Sequence, residues 1–325
     1  MTLSPEKFLE NANRIESEVG RVIVGQKDVV RHTLIAILAG GHVLLEGVPG
    51  LGKTMLIRAL GQALDLKFSR VQFTPDLMPA DILGTEILSD DNGKREFRFR
   101  EGPLFANLVL ADEINRATPK TQSALLEAMQ EGSVTVAQKT YLLAQPFFVL
   151  ATQNPLEMEG TYPLPEAQLD RFFFKVNVGL PNASEMVEIL ERTTGKESPS
   201  ANHAVSGAEI VEMRQLARVV PAPSQVKEYI AKLILATHPE DENASPLVKK
   251  YVRYGVSPRG GQALMLGAKV RALMSGRFNA AFDDVHAVAN AALRHRLLLN
   301  FDGLAEGIKA DDVIEELVGT LQVAN

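Results

Sequence analysis

No cysteine and no tryptophan occur among the 325 residues of this chain. Without cysteine there is no disulfide and no thiolate-bound zinc, and the composition fits a reducing, cytoplasmic setting. Long apolar runs are missing too. None approaches the roughly 20 residues needed to cross a bilayer, so no membrane span is expected. Residues 1–16, MTLSPEKFLENANRIE, are acidic and amphipathic rather than a basic-then-apolar leader. A basic excess is also lacking. The formal net charge is −6 and no stripe of basic and aromatic residues stands out, which argues against nucleic acid as a partner. The histidines (His32, His42, His203, His238, His286 and His295) show no metal-ligand spacing, and His295, in Arg294-His295-Arg296, reads as part of a basic helix end. Asp76 and Asp81, in TPDLMPADILG, read as turn and cap residues rather than as metal ligands.

What is present is ordinary globular material, 46% apolar and 23% charged, in a chain long enough for two domains. Ser4 and Pro5 open a helix over 4–20, and Gly40-Gly41 stops a second over 26–39. Five short apolar runs follow: 42–47, Lys67–Thr74, Asn107–Glu113, Pro146–Asn154 and Phe173–Val178. Each reads as a strand buried on both faces. Helical segments at Thr54–Leu64 and Lys120–Gln130 lie between some of them, which predicts an α/β core, doubly wound around a parallel five-stranded sheet. Residues 84–102, with an Asp-Asn-Gly turn, and residues 133–143 interrupt that alternation and read as hairpins. Past Leu180-Pro181 the pattern turns helical: Ser184–Arg192, Ala208–Leu216, Ser224–Thr237, Gly261–Met274 and Phe282–Leu299. The expected division is therefore a core over 1–180 and a helical domain over 181–325, with linkers at Gly195–Gly207 and Pro239–Pro246.

Gly47-Val48-Pro49-Gly50-Leu51-Gly52-Lys53-Thr54 matches G-x-x-x-x-G-K-[ST], after a predicted strand and opening a predicted helix. Glycines let backbone N–H groups turn inward around a β-phosphate, and the helix start favours negative charge. Lys53 offsets the β/γ charge, and Thr54 offers its hydroxyl to magnesium. ATP and Mg2+ are the implied cofactors. A second apolar run, Leu108-Val109-Leu110-Ala111, ends in Asp112-Glu113. Two carboxylates at the tip of a buried strand are costly unless cations or water meet them. Asp112 is assigned to the magnesium shell and Glu113 to polarising the attacking water. The plainer alternative is that both cap the next helix or pair with Lys or Arg.

Taken in order, Gly47–Thr54, Asp112-Glu113-Ile114-Asn115-Arg116-Ala117, Ala151-Thr152-Gln153-Asn154-Pro155, Leu169-Asp170-Arg171-Phe172 and Ser257-Pro258-Arg259 resemble the MoxR-type AAA+ ATPases over almost the whole chain. The resemblance implies an AAA+ core followed by a small all-helical lid. It implies a homo-oligomeric ring, usually a hexamer, with ATP between subunits. It also implies a chaperone-like motor that matures or activates client proteins, often carrying a von Willebrand A domain, some of them metalloenzymes. Both hairpins match insertions that sit near the pore face of such rings. The resemblance assigns residue roles as well. Asn154 becomes the sensor 1 residue facing the γ-phosphate, and Arg171 the finger that reaches a neighbouring subunit, with Arg116 in support. Arg259 becomes sensor 2, reaching back from the lid across the nucleotide. Val24-Gly25-Gln26 lays its backbone against adenine. Read without the family, Asn154 is first a turn residue before Pro155, while an ion pair of Arg171 with Asp170 or Glu166 and a solvated Arg259 at a helix start stay open as alternatives. A nucleotide-gated assembly scaffold and a chelatase-type motor subunit stay open as other functions.

Overall fold

The computed structural model describes residues 3–91, 94–155, 160–195 and 199–321. Helix α1 (Pro5–Val22) starts where the Ser4 hydroxyl accepts the Lys7 N–H at 3.2 Å, with Pro5 in the first turn. Helix α2 (Lys27–Ala39) ends on Gly40 at φ 79°, whose N–H bonds back to the last turn. Strand β1 (Val43–Glu46) runs through residues 47–52 into α3 (Lys53–Ala63), and β2 (Phe68–Gln72) follows. The short α4 (Pro79–Leu83) leads into β3 (Gly84–Asp91) and β4 (Lys94–Glu101), then β5 (Leu108–Asp112) and α5 (Pro119–Glu131). Strands β6 (Ser133–Val136) and β7 (Lys139–Leu142) precede β8 (Phe148–Gln153), α6 (Glu166–Leu169) and β9 (Phe174–Asn177).

Five strands form one parallel sheet in the order β2-β5-β8-β1-β9. Strands β1, β5 and β8 are apolar without alternation because both faces are covered, whereas β2, expected to be buried on both faces, exposes Arg70 and Gln72, and β9 alternates between buried Phe174 and Val176 and the more exposed Lys175 and Asn177. Val43, Leu45, Leu108, Leu110, Phe148 and Leu150 point to the side of α1, α2 and α3, whereas Leu44, Val109, Ala111, Val149 and Ala151 point to the side of α4 and α5. Both expected hairpins are there, β3 with β4 and β6 with β7. Asn92 and Gly93 of the expected Asp-Asn-Gly turn lie outside the described residues.

The rest is helical: α7 (Ala183–Thr194), α8 (Gly207–Val219), α9 (Ser224–Ala236) and α10 (Pro246–Tyr251), then, after a short strand β10 (Val252–Tyr254), α11 (Pro258–Met274) and α12 (Phe282–Leu293). Strand β11 (Leu298–Leu299), α13 (Phe301–Ala305) and α14 (Ala310–Thr320) complete it. The helix expected over Phe282–Leu299 stops at Leu293, and Leu298-Leu299 pairs antiparallel with β10 instead. The helical pattern runs on through Arg294-His295-Arg296, but these side chains are used elsewhere. The helical region packs closely on the core. The Ala204 and Val205 N–H groups bond to the Ala63 carbonyl, and α8 and α11 lie against α2. Among the described residues no helix is long and apolar enough to cross a membrane.

Candidate active site

Parallel strands send all their carboxyl ends to one edge, where a doubly wound sheet places its ligands. Residues 47–52 leave β1 at that edge. The Gly47 N–H is held by the Gln153 carbonyl at 3.3 Å, and a side chain on Gly47 would meet the Val178 carbonyl oxygen at 2.8 Å. Gly50 and Gly52 have φ of 84° and 77°, which favours glycine, and the space where their Cβ atoms would stand is open. Helix α3 begins without a side-chain cap and without an acid in its first turn. Its leading N–H groups therefore face the loop unsatisfied, a cradle that fits a polyphosphate. Lys53 Nζ lies 2.6 Å from the Gly47 carbonyl. Burial lowers its ammonium pKa, while Asp112, Glu113 and Glu46 act in the opposite direction.

Asp112 and Glu113 close β5 two places along the sheet, with β8 between them and β1. Thr152, fully buried on β8, binds both acids: its hydroxyl donates to Asp112 Oδ1 at 2.7 Å and accepts the Glu113 N–H at 2.8 Å. The other Asp112 oxygen receives Arg70 from β2 at 2.7 Å. Glu113 Oε2 receives the Gln72 amide at 2.7 Å and lies 3.1 Å from Arg116 Nε. Arg116, expected only as a supporting interface residue, thus bears on its own chain's acid. Buried Asn154 follows β8 directly, between the acids and the phosphate loop. The Gln26 side chain bonds to the Leu51 carbonyl at 3.0 Å, which ties Val24-Gly25-Gln26 to the same loop. Val24 and Gly25 also line a cavity of about 600 Å³ between α1, α2 and α7. Thr54, the second residue of α3, and Asp112, the last of β5, lie at the same carboxyl edge of the sheet.

Arg70 and Gln72 belong to no motif, and Thr152 has no assigned role of its own. Only the pairing of β2 with β5 and of β5 with β8 brings them to the acids, and Thr152 alone had a signal, its place in Ala151-Thr152-Gln153-Asn154-Pro155. Asp81 caps α4 through the Met78 N–H at 2.8 Å, as expected. No group of three potential metal-ligating side chains occurs among the described residues.

Arg171 lies at the opposite edge of the sheet. Its turn enters β9, and the Phe173 N–H bonds to the His42 carbonyl at 2.8 Å, so the turn is level with the start of β1. Gly47 is five residues further on, roughly 17 Å at the rise of a strand. Arg171 is exposed and donates to the Leu126 carbonyl at 3.2 Å rather than to Asp170 or Glu166. The expectation for Arg259 needs correction. It does not lie over its own phosphate loop: Nη1 is 3.9 Å from Asp170, and Arg259 shares a cleft of about 250 Å³ with Gly40, Gly41, His42 and Arg171. The lid is packed so that the start of α11 meets the amino edge of the sheet.

Comparisons with known proteins agree with this architecture. Residues 42–174 match the model of the ATPase family associated with various cellular activities, and residues 244–317 match the AAA lid domain. Chaperone MoxR1 of Mycobacterium tuberculosis is 43% identical over 304 residues, 94% of this chain and 80% of that protein. The uncharacterized protein YeaC of Bacillus subtilis is 46% identical over 94% of this chain and 92% of its own length. A solved structure from Cytophaga hutchinsonii superposes with a TM-score of 0.91 at 41% identity, covering 98% of each chain. The chain belongs to the MoxR-type AAA+ ATPases, nucleotide-binding proteins with a chaperone-like role.

Proposed function

We propose that the protein hydrolyses ATP at the interfaces of a homo-oligomeric ring, a hexamer by resemblance, and uses the cycle to remodel client proteins in the cytoplasm. A division near residue 180 separates the nucleotide-holding core from the lid. The observation that carries this reading is the split site. The phosphate loop, the two acids and Asn154 stand at one edge of the sheet, while Arg171 and Arg259 stand together at the other. Head-to-tail contacts that close a ring set the second edge of one subunit against the first edge of the next.

In this reading the backbone of 47–52 and Lys53 bind the β- and γ-phosphates, and Val24-Gly25 receives the adenine. Magnesium, held by Thr54 and Asp112, would neutralise charge on the phosphate oxygens. Glu113 takes a proton from water as the water oxygen bonds to the γ-phosphorus and the bond to the β–γ bridging oxygen breaks, giving ADP and phosphate. Asn154 orients that water. Arg171 and Arg259 of the next subunit stabilise charge developing on the γ-phosphoryl group. Resemblance to the family supports a client with a von Willebrand A domain. Specific activity measured against protein concentration tests the reading. It should rise as monomers assemble and then level off. A value as high in the monomer as in the ring would overturn it.

A further inference from the structure

Arg296, just past α12, is a cation almost wholly shielded from water, with 3% of its side chain exposed. A guanidinium has five N–H donors, and every one here is used. Nε donates to Asp170 Oδ1 at 2.8 Å. One terminal nitrogen donates to the Phe173 carbonyl at 3.2 Å and to the Ala292 carbonyl. The other donates to the carbonyls of Asp170 at 3.0 Å and Phe172 at 2.6 Å. Four of these five bonds end on the turn that carries Arg171. His295 Nε2 adds a donor to the Phe172 carbonyl at 3.0 Å. Asp170 is also hooked to the other arginine. The Ser257 hydroxyl donates to its carboxylate at 2.9 and 3.0 Å, and the same hydroxyl caps α11 by accepting the Arg259 N–H at 3.3 Å.

We propose that Arg296 and Asp170 are positioning residues that join the lid to the finger turn, so that Arg171 and Arg259 are presented to the neighbouring site as one rigid pair. The proposal rests on the reading of those two arginines as acting on the next subunit. The fan of bonds from Arg296 fixes the turn, and Asp170 through Ser257 fixes the start of α11. A lid displaced by the nucleotide of its own subunit then carries both arginines with it, which links one site to the next around the ring. Lysine cannot replace Arg296, because a single ammonium cannot span carbonyls spread over four residues.

The test uses full-length Arg296→Met, Arg296→Lys and Asp170→Asn proteins. Each should bind a fluorescent ATP analogue as the wild type does, since its own phosphate loop is intact. For both Arg296 variants kcat should fall by about 10²-fold, the cost of misplacing a catalytic group by ~1 Å, with little change in KM. Mixing Arg296→Met with Lys53→Ala subunits should restore turnover, because the intact phosphate loops of the first then meet the well-held arginines of the second. The control mixture is Arg171→Ala with Lys53→Ala. Turnover restored in the control but not with Arg296→Met, or a full kcat in Arg296→Lys, would overturn the positioning role and leave the trans site standing. Failure of both mixtures would overturn the trans site and the proposal together. Should Arg296→Met not fold, Asp170→Asn carries the same mixing test, since it leaves Arg296 its four carbonyl bonds.

Discussion

Single residues bear the chemistry through the partners that hold them. Glu113 sits in the left-handed region at φ 55°, a conformation that costs a non-glycine residue on the order of 1 kcal/mol. The bond from its N–H to Thr152 and the contacts of its carboxylate with Gln72 and Arg116 hold it there. Replacing Glu113 with Gln keeps that shape and removes the proposed base. Turnover should drop by about 10²-fold or more, with nucleotide binding retained, and hydrolysis at the wild-type rate would refute the assignment. His42 behaves differently. It is buried beneath the Arg171 edge, with Nε2–H donating to Met129 and Nδ1 accepting the Val149 N–H, both at 3.0 Å. Burial pushes its imidazole down to about 4. The unfolded chain takes up this proton near the ordinary value of 6.5, whereas the folded chain does so only near 4. The stability is therefore whole above the unfolded value and is lost as the pH falls through that window, by about 3 kcal/mol in all. Burial holds His295 well below its usual range and adds to the loss. Urea midpoints measured near neutrality and at about pH 4.5 should differ accordingly, and equal midpoints would contradict the account.

At the level of elements, the β6–β7 turn is made by Ala137 at φ 49° and Gln138 at φ 67°, positions that favour Asn and Gly. Ala137→Asn with Gln138→Gly should stabilise the protein by about 1 kcal/mol, seen as a higher Tm; an unchanged or lower Tm would show that the turn carries no strain. Much of this organisation was legible in the sequence. Strands β1, β5 and β8 are apolar runs because they are buried twice, and the phosphate loop and the strand-end acids stand in consecutive residues, whereas β2 and β9 carry polar residues on a more open side. The placement of Arg259 was not legible. It depends on a clamp between Asp170 and Arg296, 126 residues apart, and nothing local to Ser257-Pro258-Arg259 reveals it. For the same reason Arg294-His295-Arg296 read only as a basic helix end. The helix does end there, but Arg294 pairs with Asp311 at 2.9 Å, and His295 and Arg296 turn inward to the finger turn.

Across the whole molecule, the two edges of one sheet divide the labour. One carries the phosphate loop and the acids, and the other carries Arg171 and Arg259, roughly 17 Å along the strands from that loop. The lid fastens to the arginine edge, so in the proposed ring each subunit would give help to one neighbour and receive it from the other. The most direct measurement mixes two inactive proteins, Lys53→Ala, which lacks a working phosphate loop, and Arg171→Ala, which lacks the finger. If sites form between subunits, equal amounts should restore hydrolysis at about one interface in four, while neither protein turns over alone. A mixture as inactive as its components, in rings shown to contain both, would contradict the shared site.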